Sequence, residues 1–173
     1  MIRMKLRKEK IMFREMRRRK QLLSVRESIE ILENGSSGVL ALLGDDDYPY
    51  AVPISYVYDN AKIYFHGAKV GHKRDAIRKF NKASFCVISK DDVVAEEYTT
   101  YYKSVIVFGK IRILEHENEI RNAIEKLAIK YYPKGDSTDR DTEIMQEWRA
   151  LCTMELSVEH MTGKEAIEIA EKK

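Results

Sequence analysis

Between Gly38 and His66 the sequence alternates apolar and polar residues, and its turns are too short for any connection other than a hairpin. Asp59-Asn60 leaves two residues between an expected strand over Tyr50 to Tyr58 and the next over Ala61 to His66, while Gly44-Asp45-Asp46-Asp47 separates the former from Gly38 to Leu43. Parallel strands need a crossover of a dozen or more residues. These three segments therefore make a meander, and the βαβ rhythm of a parallel sheet is absent.

The rest of the sequence extends that pattern. Ser24, answered by Glu27 three residues later, signs a helix start, Ile29, Ile31 and Leu32 give its apolar face, and Asn34-Gly35 ends it. A short helix is expected from His72 to Phe80 and a strand over Ser84 to Ser89. The run from Tyr102 to Glu115 is rich in Val, Ile and Phe and carries Gly109 where a strand bending round a barrel places a glycine. A helix follows over Glu117 to Tyr132, a loop over Pro133 to Asp141, a further helix through Trp148, and a last strand over Leu151 to Val158. Six mostly antiparallel strands with late helices predict a mainly β fold with α decoration, a six-stranded antiparallel barrel.

A chain of 173 residues suits one domain. Its net charge of +3 is uneven: residues 1–20 hold ten Lys or Arg against Glu9 and Glu15, leaving the remainder at −5. We expect residues 1–20 to be a basic arm, 21–164 the domain and 165–173 a charged tail. The arm lacks the aromatic and glycine spacing of nucleic-acid modules and the body is acidic, so no nucleic-acid partner is expected. No apolar run is long enough to span a bilayer and no secretory signal is evident, so the expectation is a cytoplasmic protein without a membrane partner. Cys86 and Cys152 lie in apolar segments and read as reduced core residues.

The segment Ile63 to Lys73 carries the chemistry. An apolar run ends at His66, Gly67, Ala68 and Gly71 let backbone amides approach a ligand, and His72 and Lys73 stand where a helix begins. Amides at a helix N-terminus together with cationic side chains suit an anion such as one phosphate. Spacing alone fits equally a basic turn with solvated charges. His66, His72 and Cys86 match no common metal spacing, and no metal is expected.

These residues also carry a resemblance. Tyr48 to Tyr56, Ile63 to Ala68, Gly71-His72-Lys73, Lys103 to Gly109 and Met161-Thr162-Gly163-Lys164 occur in the order found in the FMN-binding split barrels related to pyridoxamine 5′-phosphate oxidase, and the chain is most similar to their Nim-type (nitroimidazole resistance) group. The resemblance runs from about Met16 to Lys164. It implies a homodimer with two FMN molecules in clefts between subunits. Gly71, His72 and Lys73 match a Ser-Arg-Lys triplet that holds the FMN phosphate, and the histidine replacing arginine would weaken phosphate affinity as pH rises. Val52, Pro53, Ile54 and Ser55 match the strand along the isoalloxazine, and Ser104 and Val105 the strand near the phosphate and ribityl chain. His66 matches a histidine close to the flavin and is the candidate catalytic residue. Gly67 and Ala68 complete the cofactor-binding set, with Lys69, Thr162 and Lys164 as weaker candidates.

The function this implies is an FMN-dependent oxidoreductase that passes electrons to a small acceptor such as a nitroaromatic compound. NAD(P)H would bind transiently, because the chain has no dinucleotide glycine fingerprint. The alternative is a non-catalytic flavin or haem binding or storage module of the same fold, for which related barrels that hold haem or deazaflavin are the precedent.

Overall fold

The expected first helix forms with its cap intact. In the computed structural model, which describes residues 13–172, α1 (Val25–Asn34) begins at Ser24, whose hydroxyl accepts from the Glu27 amide while the Glu27 carboxylate accepts from the Ser24 amide. Such reciprocal capping contributes about 1 kcal/mol. The first twelve residues of the expected arm lie outside the described residues. From Phe13 the chain lies on the barrel, where the Phe13 ring stacks on His160 at 4.7 Å and approaches Phe108 at 5.7 Å.

The described residues form seven strands: β1 (Ser37–Leu43), β2 (Pro49–Ser55), β3 (Val57–Asp59), β4 (Lys62–Ala68), β5 (Lys82–Val94), β6 (Thr99–Ile113) and β7 (Leu151–Glu165). Their order in the sheet is β2-β1-β5-β6-β7-β4-β3, antiparallel at every step. The remaining helices are α2 (His72–Lys79), α3 (Glu117–Tyr131), α4 (Ser137–Glu147) and the short α5 (Ile167–Ala170). No helix among the described residues is long and apolar enough to cross a membrane.

Seven strands replace the expected six because the segment Tyr50 to Tyr58 is broken. Its two halves sit at opposite ends of the sheet order, β2 against β1 and β3 against β4, so the single stretch Pro49–Asp59 joins the two ends of the sheet. The break is at Tyr56, which is fully buried. Its backbone amide donates to the Tyr131 hydroxyl at 2.8 Å instead of to a neighbouring strand, and its own hydroxyl donates to Leu32 O at 2.8 Å. The Tyr131 hydroxyl shares its proton between the carbonyl oxygens of Tyr56 and Ser36. Helix α3 thus satisfies the peptide groups that the strand gives up there.

Other boundaries shift outward. β5 continues to Val94 and β6 starts at Thr99, because each is the other's partner along a long hairpin. β7 extends past Val158 to Glu165 because β6 offers it a pairing edge that far. Residues 137–141, expected in a loop, open α4, where the Asp136 side chain caps the helix by accepting from the Thr138 amide at 2.7 Å. The register of β6 on β7 slips between Phe108 and Gly109, the bend anticipated at that glycine.

Inside the barrel Tyr56, Phe85 and Phe65 meet edge to face at 4.8 and 5.1 Å, and Leu40, Val87 and Val105 are sealed around them. The cysteines are free, Cys152 buried and Cys86 half-buried, and burial pushes both thiols up. Glu155 on β7 is buried and takes Lys62 at 2.9 Å and Arg112 at 3.1 Å, linking β4, β7 and β6. Burial alone would raise its carboxyl, but the two cations outweigh it and the net shift is downward.

Tyr131→Phe should lower unfolding free energy by about 1–3 kcal/mol in a urea titration, since it strands a buried amide. An unchanged midpoint would show that Tyr131 does not hold the break open.

Candidate functional site

β4 and α2 build the site from one continuous stretch. The pleat of β4 turns Phe65 into the core, fully buried, and leaves His66 exposed. Gly67 then faces inward, and a Cβ built there would lie 2.9 Å from the Lys73 Nζ and 3.8 Å from Met154. The absent side chain is what lets the ammonium rest against the strand. Gly71, the residue before α2, has φ of +117° with ψ of 169°, a conformation essentially restricted to glycine. It turns the chain so that the first amides of α2, which have no intrahelical partner, follow directly after the strand.

Lys73 is half-buried, and no carboxylate among the described residues pairs with it. Burial holds its pKa below the ordinary lysine value, against a small opposing effect of the Cys152 thiol. A desolvated ammonium without a counter-charge beside free helix amides is an arrangement that an anion stabilises.

His72 is oriented differently. Its ring stacks on Tyr50 at 4.1 Å, and its Nε2 accepts from the Asp45 amide at 3.3 Å, a role only an unprotonated nitrogen fills. The Asp45 carboxylate stands 3.6 Å from the same nitrogen. The ring is therefore tied to the β1–β2 hairpin through Nε2.

A cavity of about 660 Å³ opens between this strand and the helices. Ser55, His66, Gly67 and Ala68 line it from the barrel, and α3, α4 and the start of β7 line the rest. Four of the sequence-derived candidates thus share one space. On β2 the alternation divides the others: Val52 and Ile54 are turned toward the barrel, while Pro53 and Ser55 are exposed on the edge strand. Ser104 and Val105 are not in this cavity. They lie on β6, three strands from β2 in the sheet, and the Val105 side chain is sealed in the core. Lys69 is exposed, Thr162 contacts His160 at 3.0 Å, and Lys164 lies over the Tyr102 ring at 5.2 Å.

Sequence reasoning missed the helical wall: Ile124, Leu127, Tyr131, Glu143, Ile144 and Glu147. The signal for it was present in Asp136 followed by Asp139, a helix-start signature within the segment expected to be a loop.

An antiparallel barrel with a lysine-bearing glycine turn at the end of one strand and a helix-covered cavity beside it defines a class of small-ligand-binding barrels. The sequence model of the family described as pyridoxamine 5′-phosphate oxidase matches residues 24–165, and the chain belongs to that family. Its fold is the split barrel of these proteins. Similar solved structures include a candidate 5-nitroimidazole antibiotic resistance protein from Bacteroides thetaiotaomicron, with 20% identity over 83% of this chain and 86% of that one and a TM-score of 0.72. An FAD- and haem-binding protein from Mycobacterium smegmatis has 20% identity over 85% and 73% of the two chains, with a TM-score of 0.70. An FAD-binding protein from Mesorhizobium loti has 23% identity over 84% and 97%, with a TM-score of 0.61. At these identities the likeness is one of fold. No curated protein matches the chain.

The His66 ring loses part of its water to its surroundings, and this, followed by the Lys73 ammonium, holds its pKa below the ordinary value of 6.5. The stability associated with the neutral ring is therefore present above that value and lost as pH falls toward the depressed one. In an NMR titration the His66 midpoint should lie below 6.5, and Lys73→Met should raise it only part of the way, since burial is the larger cause. Gly67→Ala should act in the same direction by displacing Nζ. A midpoint insensitive to both substitutions would separate Lys73 from His66.

Proposed function

We propose that this protein is an FMN-dependent oxidoreductase: FMN accepts electrons from a donor such as NAD(P)H and passes them to a small acceptor, with nitroaromatic compounds among the candidates. The observation that carries this reading is the half-buried Lys73 ammonium, unpaired among the described residues, against Gly67 at the start of α2. Membership of a family described by a phosphate-ester oxidase and similarity to flavin-binding barrels support a flavin as the group that brings the phosphate.

In this reading Lys73, the Gly71 turn and the first α2 amides hold the phosphate, with His72 Nδ1 beside them. The Pro53 and Ser55 edge of β2 borders the ring. A bound flavin supplies the redox chemistry, and the protein binds, orients and tunes it. His66, neutral near pH 7, orients the acceptor or moves a proton to it.

A homodimer is part of the proposal. The registers place Pro53, Val39, Cys86, Ile106 and Thr162 in one row across the outer face of β2, β1, β5, β6 and β7. Ile106 is 42% exposed, and its neighbour two residues on, Phe108, 39%. An apolar sheet face of this kind is a surface that a second copy covers. Pairing through it would let Ser104 and the Val105 backbone of one copy border a flavin held at the other copy's Lys73.

The second reading is a flavin or haem module without turnover, favoured by the similarity to a barrel described as binding both FAD and haem. The absorption spectrum of the purified protein, with mass spectrometry of the released cofactor, tests the first proposal, and reduction by NAD(P)H under anaerobic conditions separates the two. Lys73→Ala should weaken FMN binding by about 1.5–3 kcal/mol, the range for a charge-assisted contact. His66→Ala should retain FMN and change turnover, whereas loss of FMN would make His66 a cofactor ligand.

A further inference from the structure

We propose that the groove between residues 17–21 and α5 is a second anion site, suited to an adenosine phosphate: Arg17, Arg18 and Lys20 meet the phosphate, and the side-chain amide of Gln21 pairs with the base. The site is separate from the Lys73 cradle and does not depend on a flavin being bound there.

The charge of the groove defines one end of the ligand. A space of about 500 Å³ is lined by Arg17, Arg18, Arg19, Lys20, Gln21 and Ile167, four cations with no carboxylate among them. Arg19 pairs with Glu15, whereas no carboxylate among the described residues pairs with Arg17, Arg18 or Lys20. On α5 the Glu168 carboxylate is engaged by the Thr99 hydroxyl at 2.8 Å. Successive like charges repel one another, and an anion in the groove relieves that repulsion. Guanidinium groups suit a phosphate in particular, because their paired N–H donors match its oxygens.

Exposed cations alone describe a charged surface, and Gln21 is what adds a second point of recognition. It lines the groove and is 3% exposed, yet its Oε1 has no hydrogen-bond partner among the described residues. Buried polar groups are paired in most proteins, because an unmade hydrogen bond costs stability. The turn that carries Gln21 is fixed on both sides: its backbone amide donates to Arg18 O at 3.0 Å, Leu22 bridges to Lys164, and the Leu23 amide donates to Gly163 O at 3.0 Å. A carbonyl oxygen can only accept, so the ligand that completes it brings an N–H or O–H. Adenine offers the matching edge: its N6 amino group donates to Oε1 while its N7 accepts from Nε2 of the same side chain. Ile167 gives the base an apolar neighbour.

The groove and the Lys73 cradle lie at opposite ends of β7. Gly67, against which Lys73 rests, pairs with Cys152 near the start of that strand, while Leu22 bridges to Lys164 near its end. One phosphate cannot reach both, so a flavin phosphate at Lys73 leaves the groove to a second ligand.

The test is calorimetric titration of the full-length protein with AMP, IMP, adenosine and inorganic phosphate, with and without saturating FMN. AMP should bind at least about tenfold more tightly than IMP, whose 6-oxo group sets an acceptor against Oε1, and at least about tenfold more tightly than adenosine, which lacks the phosphate. Gln21→Leu should lower AMP affinity to the IMP value, and the double substitution Arg17→Ala and Arg18→Ala should lower it toward the adenosine value. Gln21 is buried, so the ratio of AMP to IMP affinity on the unaltered protein decides the matter where the Gln21 variant does not fold. Equal affinities for AMP and IMP, inorganic phosphate binding as tightly as AMP, no binding of AMP, or AMP binding that FMN competes away would overturn the proposal. A chain that takes up no FMN sinks the oxidoreductase reading alone, since the ratio of AMP to IMP affinity is read without it.

Discussion

The barrel depends on the interruption of one strand at Tyr56. A continuous strand over Pro49 to Asp59 could pair with β1 or with β4, but it could not leave one and join the other without a residue whose peptide groups find partners elsewhere. Tyr131 supplies those partners from α3, and Leu32 accepts the buried phenol from α1. Lys130 sits 4.2 Å over the same ring and donates to Gly35 O, so two helices and the turn between α1 and β1 converge on one side chain. The interaction that joins the ends of the sheet also positions the cavity. Ser55 ends β2 immediately before the break, and Tyr131 lines the cavity's other side.

The local signals were legible in the sequence wherever one residue's chemistry decided the outcome. Ser24 with Glu27 could only cap, two residues at Asp59-Asn60 could only make a tight turn, and Gly109 marked the bend. The break at Tyr56 was not legible, because Val52 to Tyr58 alternates as a strand should and the group that interrupts it lies 75 residues away. The lengths of β5, β6 and β7 were underestimated for a related reason. Polar residues such as Asp91, Asp92 and His160 stop an apolar pattern without stopping backbone pairing, which side-chain hydropathy does not report.

The site divides along the same line. Gly67, Gly71 and Lys73 act through local geometry, and their spacing fitted an anion cradle and a solvated basic turn equally. The direction of the His72 ring depends on Asp45 and Tyr50, which belong to the β1–β2 hairpin, and the helical wall depends on how α3 and α4 fold back over β4. Family resemblance adds positions such as Ser104 without saying how one chain brings them to a cofactor. Their distance round the barrel from the cradle is why a second copy enters the proposed function.

In the proposed function, the anion cradle and the helical wall of the cavity rest on elements with different freedom to change. The proposed anion cradle takes only Gly67 from β4, whose residues pair with β7 over their whole length, so a substitution there would disturb the barrel as well as the ligand. Helix α4 meets the rest of the fold through Ile144 and the Arg121–Asp141 pair, and its cavity-facing carboxylates carry no internal hydrogen bond among the described residues. The side chains on the cavity face of α4 can therefore be exchanged at little cost to folding, whereas Gly67 cannot.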